Sequence, residues 1–255
     1  MKTYTRQKLT FEQFLEQCPE EGLYELVDRE IVPAFLTSLR GYWAEGQRGR
    51  GAEGKEQGTL NSPLLPCSPA PLLKRRLIRD VVRNPGVEVR ATRNHDDVAN
   101  FILFGFNDEI RRLNLNYVVN NTAVFKTITA NEVEQGRKLD VSVIDKDTWR
   151  SNRSAYSALE EPIQLAVEVT STNWEDDYID KLDEYQRLGI TEYWIVDYLA
   201  IGLREYLGNP KVPAVFVFLL DAEGKYQRTL FRGSERIVSR TFPELALTAD
   251  QILTA

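Results

Sequence analysis

Residues 163–171, reading IQLAVEVTS, constrain the fold of this chain more than any other stretch. The run is apolar on both parities of a strand and is interrupted by a single carboxylate, Glu168. A strand with apolar side chains on both faces belongs inside a covered sheet, which is the arrangement of α/β proteins. Pleating puts Glu168 and Thr170 on one face and Val167 and Val169 on the other. Burying a lone carboxylate there is costly unless it meets a cation. The next segment, YIDKLDEYQRLG (178–189), has helical spacing with Gly189 as its C-cap, and it carries Lys181.

The rest of the chain punctuates in the same style. Thr10 and Gln13 form a capping-box start for TFEQFLEQC, which Pro19 ends. LYELVDREIV reads as a hairpin turning at Asp28-Arg29. Asn94 is the expected N-cap, with Asp96 and Asp97 in the first turn, of a core helix carrying Val98, Phe101, Ile102, Phe106, Ile110 and Leu113. Strands are expected at 117–128 and, after a basic-polar loop, at 140–145, then at EYWIVDYL, IGLREYLG, VPAVFVFLLD and KYQRTLFRG, before a final capped helix, TADQILTA. The expected fold is α/β, a mixed central sheet flanked by helices, in a single domain over residues 1–255.

Residues 33–86 break this pattern. They hold 7 of the 15 glycines and 6 of the 11 prolines, and nine basic against four acidic residues, so the segment is +5 within a chain of net −6. Between about 44 and 71 there is neither helical nor strand periodicity, and such a composition does not offset the entropy of ordering. We read 33–86 as an insertion, since its flanks would join into a plausible strand and helix without it. The cluster Lys74, Arg75, Arg76, Arg79 and Arg83 reads as a solvated helix face or, alternatively, as a DNA contact.

Composition narrows the chemistry. With 42% hydrophobic and 27% charged residues the chain is globular rather than disordered. No apolar run reaches the roughly 18 to 20 residues that cross a bilayer, and MKTYTRQKLTFEQF has no apolar signal core, so a soluble, cytoplasmic protein without membrane partners is expected. Cys18 and Cys67 form no disulfide framework. A single histidine, His95, makes a Cys/His zinc site and Ser-His-Asp catalysis poor readings. His95 itself reads as a cap-region or solvent-facing residue, with the rim of an active site as the alternative. Any metal must therefore be held by oxygen. Asp140 at a strand start and Glu168 on the next strand form a minimal carboxylate cage for Mg²⁺, which keeps several waters. A nearby lysine would stabilise charge on a phosphodiester undergoing attack. Lys181 has an ordinary reading too, as an ion-pair partner of Asp177, Asp180, Asp183 or Glu184 along its helix.

KLDVSVID followed by LAVEVTSTNWEDDYIDKLDEYQRLGITEYWIVDY resembles the Uma-two family of endonucleases, in the PD-(D/E)XK, restriction-endonuclease-like superfamily. The resemblance extends over residues 1–32 and 87–255. It implies a Mg²⁺- or Mn²⁺-dependent hydrolase acting on DNA, with Asp140 and Glu168 as metal ligands and Glu25 as the N-terminal acid completing the site. The motif lysine is expected at position 170, where this chain has Thr170, so the lysine is expected from the helix, as Lys181. Leu139 replaces the motif proline, Arg29 the turn glycine and Thr191 the proline before EYW. Arg29 in a turn with positive φ costs about 1 kcal/mol or more. Net charge opposes nonspecific DNA binding, although Lys126, Arg137, Lys138, Arg150 and Arg153 flank the Asp140 strand and could contact a backbone. A catalytically inactive nuclease-fold protein that binds nucleic acid or protein is the alternative, and a homodimer is left open. If 33–86 is an insertion, deleting it should leave a cooperatively folding protein with an unchanged or higher melting temperature by calorimetry. Loss of the cooperative transition would refute the insertion.

Overall fold

The computed structural model describes residues 8–18, 24–33, 93–151, 158–171 and 174–255. They belong to one unit formed by Met1–Gly41 and Ala91–Ala255. The expected irregular insertion, with its basic cluster, lies outside the described residues.

The expected mixed α/β arrangement of sheet and helices is present, with eleven strands among the described residues divided between two mixed sheets. In chain order they are β1 (Tyr24–Val27), β2 (Glu30–Pro33), β3 (Tyr117–Asn120), β4 (Val124–Ile128), β5 (Glu134–Lys138), β6 (Val141–Asp145), β7 (Ala158–Leu159), β8 (Leu165–Val169), β9 (Glu192–Asp197), β10 (Ala214–Leu220) and β11 (Tyr226–Phe231). The helices are α1 (Phe11–Gln17), α2 (Arg93–Leu113), α3 (Lys146–Ser151), α4 (Lys181–Leu188), α5 (Arg204–Leu207) and α6 (Ala249–Leu253). The larger sheet has the order β11-β10-β9-β8-β6-β3, antiparallel except for the parallel pair β8 and β9 that α4 connects. The smaller has the order β2-β1-β5-β4-β7.

β8 is buried along its whole length, as its two-sided apolar pattern requires. Leu165, Val167 and Val169 pack with Val98, Ile102 and Phe106 of α2, while Ala166 faces the opposite core with Tyr178, Tyr185 and Tyr193. The alternation therefore delivers Glu168 and Thr170 to the α4 side. Phe106 meets Trp194 edge-on at 5.3 Å and Phe242 at 4.8 Å, which anchors α2 to the sheet.

Both capping boxes form, Thr10 with Gln13 and Thr248 with Gln251. Asp28 (φ 52°) and Arg29 (φ 67°) both adopt positive φ, so the hairpin closes through a primed turn with arginine in the strained place. Gly189, at φ 86°, ends α4 in the left-handed region.

Four expectations are corrected. Residues 117–128 are two strands in different sheets, because the Asn120 side chain accepts from the backbone N–H of Thr122 (2.7 Å) and Ala123 (2.6 Å) and turns the chain away. The expected basic-polar loop contains β5, whose Gly136 lets α1 lie against it. A Cβ there would sit 3.1 Å from Phe11 and 3.2 Å from both Leu26 and Phe14. IGLREYLG is no strand: the Asp197 carboxylate accepts from the N–H groups of Ile201 (3.0 Å) and Gly202 (2.9 Å), and Arg204–Leu207 then coil as α5. Asn94 lies within α2, which already includes Arg93. No helix among the described residues is long and apolar enough to cross a membrane. Phe106→Ala should lower stability by about 3–5 kcal/mol in urea unfolding, because it opens a cavity between α2 and Trp194.

Candidate active site

The carboxylates Asp140 and Glu168 come together through strand register. β6 pairs with β8 with Val141 opposite Val167, so Asp140, one residue before β6, lies abreast of Glu168. The Asp140 Oδ2 atom accepts from the backbone N–H of Val169 at 2.8 Å and lies 3.2 Å from His95 Nε2. Burial alone would raise the Asp140 pKa, but the His95 imidazolium and the nearby Lys138 and Lys181 outweigh it and hold the carboxyl well below the usual range. Burial likewise opposes a charge on His95. The Asp140 carboxylate, helped by Asp96, prevails and lifts the imidazole to about 9.

Glu168 is buried beneath α4. Its Oε2 lies 3.0 Å from Lys181 Nζ, and its Oε1 accepts from the Tyr185 hydroxyl at 2.7 Å. Burial, with Asp140 and Asp177 adding to it, pushes the Glu168 pKa up against the pull of Lys181. Burial also disfavours the Lys181 ammonium, yet Asp177 and Glu168 more than compensate and hold it charged. Lys181 reaches both acids because Asp176–Asp180 form a π-helical turn ahead of α4, which resets the helical face. The i,i+4 pair with Asp177 does exist, at 3.0 Å, but both residues are buried, unlike an ordinary surface pair. The Asp177 carbonyl is fixed in turn by the Tyr193 hydroxyl at 3.0 Å.

Glu25 enters from the smaller sheet. It is buried, and its Oε1 accepts from the backbone N–H of Lys138 at 3.1 Å, two residues before Asp140. Its Oε2 and the Thr170 Oγ1 are buried without a hydrogen-bond partner among the described residues. Among those residues, no three or more His, Cys, Asp or Glu are grouped closely enough to hold an ion by themselves. Glu25 adds to Asp177 and Glu168 in holding the Lys181 ammonium charged. Hard oxygen donors, two of them orphaned, nonetheless suit a cation that keeps much of its water, as Mg²⁺ does.

His95, whose sequence pattern suggests a cap-region or solvent-facing residue, reaches Asp140 instead; its signal in the sequence is position, since the chain's only histidine stands in the first turn of the helix that packs on the Glu168 sheet. Arg137, a candidate DNA contact by sequence, is not exposed. Arg137 is buried in a bidentate pair with Glu184 (2.6 and 2.8 Å), whose Oε2 also accepts from Thr127 at 2.7 Å, so this charge ties α4 to the smaller sheet. Lys126 is paired with Glu134 (3.0 Å) and Glu160 (3.4 Å), whereas Lys138 is half-buried and Arg150 exposed. Arg153 lies outside the described residues.

The acid pair on adjacent strands, with a lysine supplied by the helix that follows, is the arrangement the comparisons with known proteins bear on. The chain belongs to the Uma2 family, described as "Putative restriction endonuclease", which matches residues 86–250 and so includes Asp140, Glu168 and Lys181 but not the Glu25 hairpin. The fold is similar to the crystal structure of "a putative nuclease belonging to DUF820" from Anabaena variabilis ATCC 29413, with a TM-score of 0.55 at 11% identity over 96% of this chain and 98% of that one. No curated protein matches the chain.

The π turn carries a measurable electrostatic cost. Burial, with Asp177 and Asp180 adding to it, raises Asp176 to about 7 despite Lys181 and Arg137. A carboxyl whose folded pKa exceeds its unfolded value destabilises the fold increasingly as pH rises from about 4 to 7. Asp176→Asn should therefore melt close to wild type at pH 4 and above it from about pH 7, in chelator.

Proposed function

We propose that this chain is a Mg²⁺- or Mn²⁺-dependent endonuclease that hydrolyses DNA phosphodiester bonds. The observation that carries the reading is the reach of Lys181 from α4 back to Glu168, 3.0 Å away, on the strand beside Asp140. It supports a site in which the lysine absent at position 170 is replaced from the helix. Asp140 and Glu168 would hold the ion, with Glu25 acting near it through its unpartnered oxygen. When bound, the ion would polarise a phosphoryl oxygen and lower the pKa of a coordinated water.

The chain's own groups have separable tasks. Tyr185 holds the Glu168 carboxylate in one orientation through its hydroxyl. Lys181 compensates Glu168 and Asp177 and would provide positive charge as water attacks phosphorus and the P–O bond breaks. Lys138 and Arg150 would supply local positive charge for a flanking backbone, against the repulsion of a chain of net −6.

A second reading is a nuclease fold that binds nucleic acid or protein without cutting it. It is favoured by the absence, among the described residues, of a ready group of three ligands and by the donors already seated on both acids.

Plasmid nicking separates the two. Wild type should nick DNA with Mg²⁺ or Mn²⁺ and stop in EDTA, while Asp140→Ala and Glu168→Ala should leave plasmid intact. Lys181→Ala should slow cleavage by about 2–4 kcal/mol of activation free energy, measured well below its melting temperature because two buried acids lose their partner. Ca²⁺ should support DNA binding better than cleavage. Wild type that binds DNA but never cuts it would establish the second reading.

A further inference from the structure

We infer that His95 is a positioning residue for Asp140: its Nε2–H, together with the Val169 amide, fixes the carboxylate in the orientation that receives the metal. The inference rests on the proposal that Asp140 and Glu168 form the metal pair. It goes further by giving the chain's only histidine a role toward that pair, from the opposite side of the sheet.

Asp140 is the less secured of the two acids. Glu168 lies inside β8 and is buried, with Tyr185 and Lys181 on its two oxygens. Asp140 stands at a bend outside β6, with a side chain still 20% exposed, and Leu139 before it leaves the backbone the freedom of an ordinary residue. An aspartate so placed would sample several χ1 and χ2 settings, each presenting different lone pairs to an ion. Two donors restrain it. The Val169 N–H at 2.8 Å is fixed by β8, and His95 Nε2 at 3.2 Å is fixed by α2.

Both donors fall on the same oxygen, Oδ2. With both donors on Oδ2, Oδ1 is the oxygen that the proposal assigns to the ion. His95 is itself held. Its ring is only 12% exposed, and Nδ1 lies 3.4 Å from Asp96 Oδ1 in the same helical turn. Three residues further along, Val98 begins the buried face that seats α2 on Val141, Val167 and Val169. The chain of restraint thus runs from the helix–sheet core through an imidazole to the carboxylate. Outer partners of this kind orient first ligands, and removing one typically weakens metal binding by about 10- to 100-fold.

Mn²⁺ binding to the full-length protein, measured by titration calorimetry at fixed pH, tests the role without relying on cleavage. His95→Gln places an amide N–H near the Nε2 position, and His95→Asn places one near Nδ1. Wild type and His95→Gln should bind Mn²⁺ within about threefold of each other, while His95→Asn and His95→Ala should bind at least about tenfold more weakly. In an Asp140→Ala background, replacing His95 should change the residual affinity no further. Circular dichroism at the same temperature reads folding separately, and if His95→Ala unfolds, the two amide variants decide. Equal affinity in all His95 variants, or His95→Gln as weak as His95→Asn, would overturn the positioning role while leaving the metal pair intact. Wild type that takes up no Mn²⁺ would overturn both.

Discussion

Glu168 is a carboxylate within a strand buried on both faces, and its neighbourhood is organised around making that tolerable. An isolated ionised acid in this position would shed its charge or unfold the sheet. Lys181 and Tyr185 satisfy its two oxygens, and both come from the helix connecting β8 to β9. The site is therefore inseparable from the β8–α4–β9 crossover. α4 must pack where it does for Glu168 to be buried at all, and Glu168 fixes which face of the helix turns inward.

The same helix faces two ways. Tyr185 belongs to the core against the larger sheet, while the adjacent Glu184 forms the buried pair with Arg137 of the smaller one. Breaking such a pair by removing one partner costs about 3–5 kcal/mol, because a charge is left buried alone. Arg137 also stands at the end of β5, just before the chain crosses from the smaller sheet to Asp140 in the larger one. The ion pair that fixes the helix thus also fixes the start of the segment that delivers Asp140. The π turn at Asp176–Asp180 then gathers Asp177 and Lys181 at the cost of a crowded acidic corner.

Much of this was legible in order. The apolar run around Glu168, the Asp28-Arg29 turn, the two capping boxes and the Gly189 cap are local signals whose physics acts over a few residues, and each appears where its pattern put it. Failures came where a distant partner decided. Glu134–Lys138 has no strand-like composition, and it is a strand because α1 lies against Gly136 and α4 takes Arg137. Residues 201–208 have enough apolar character for a strand, but the Asp197 carboxylate captures the two amides that a strand would have paired.

By itself, then, the sequence determined the element types of its strongly patterned segments, the α/β class, the need for a cation beside Glu168 and the candidacy of Asp140, Glu168 and Lys181. The element types, the class and the need for a cation follow from periodicity, capping and desolvation, which depend on near neighbours or on the chemistry of one side chain, whereas Lys181 as the site lysine came from the resemblance to the Uma-two family. Only the tertiary structure decided that the strands divide into two sheets, that Arg137 is a buried strut rather than a surface cation, that Glu25 bonds the backbone of Lys138 just before Asp140, and that His95 reaches Asp140. Each of those turns on which surfaces meet across tens of residues of chain, and neither spacing nor propensity encodes a distance of 3 Å between a helix start and a strand start.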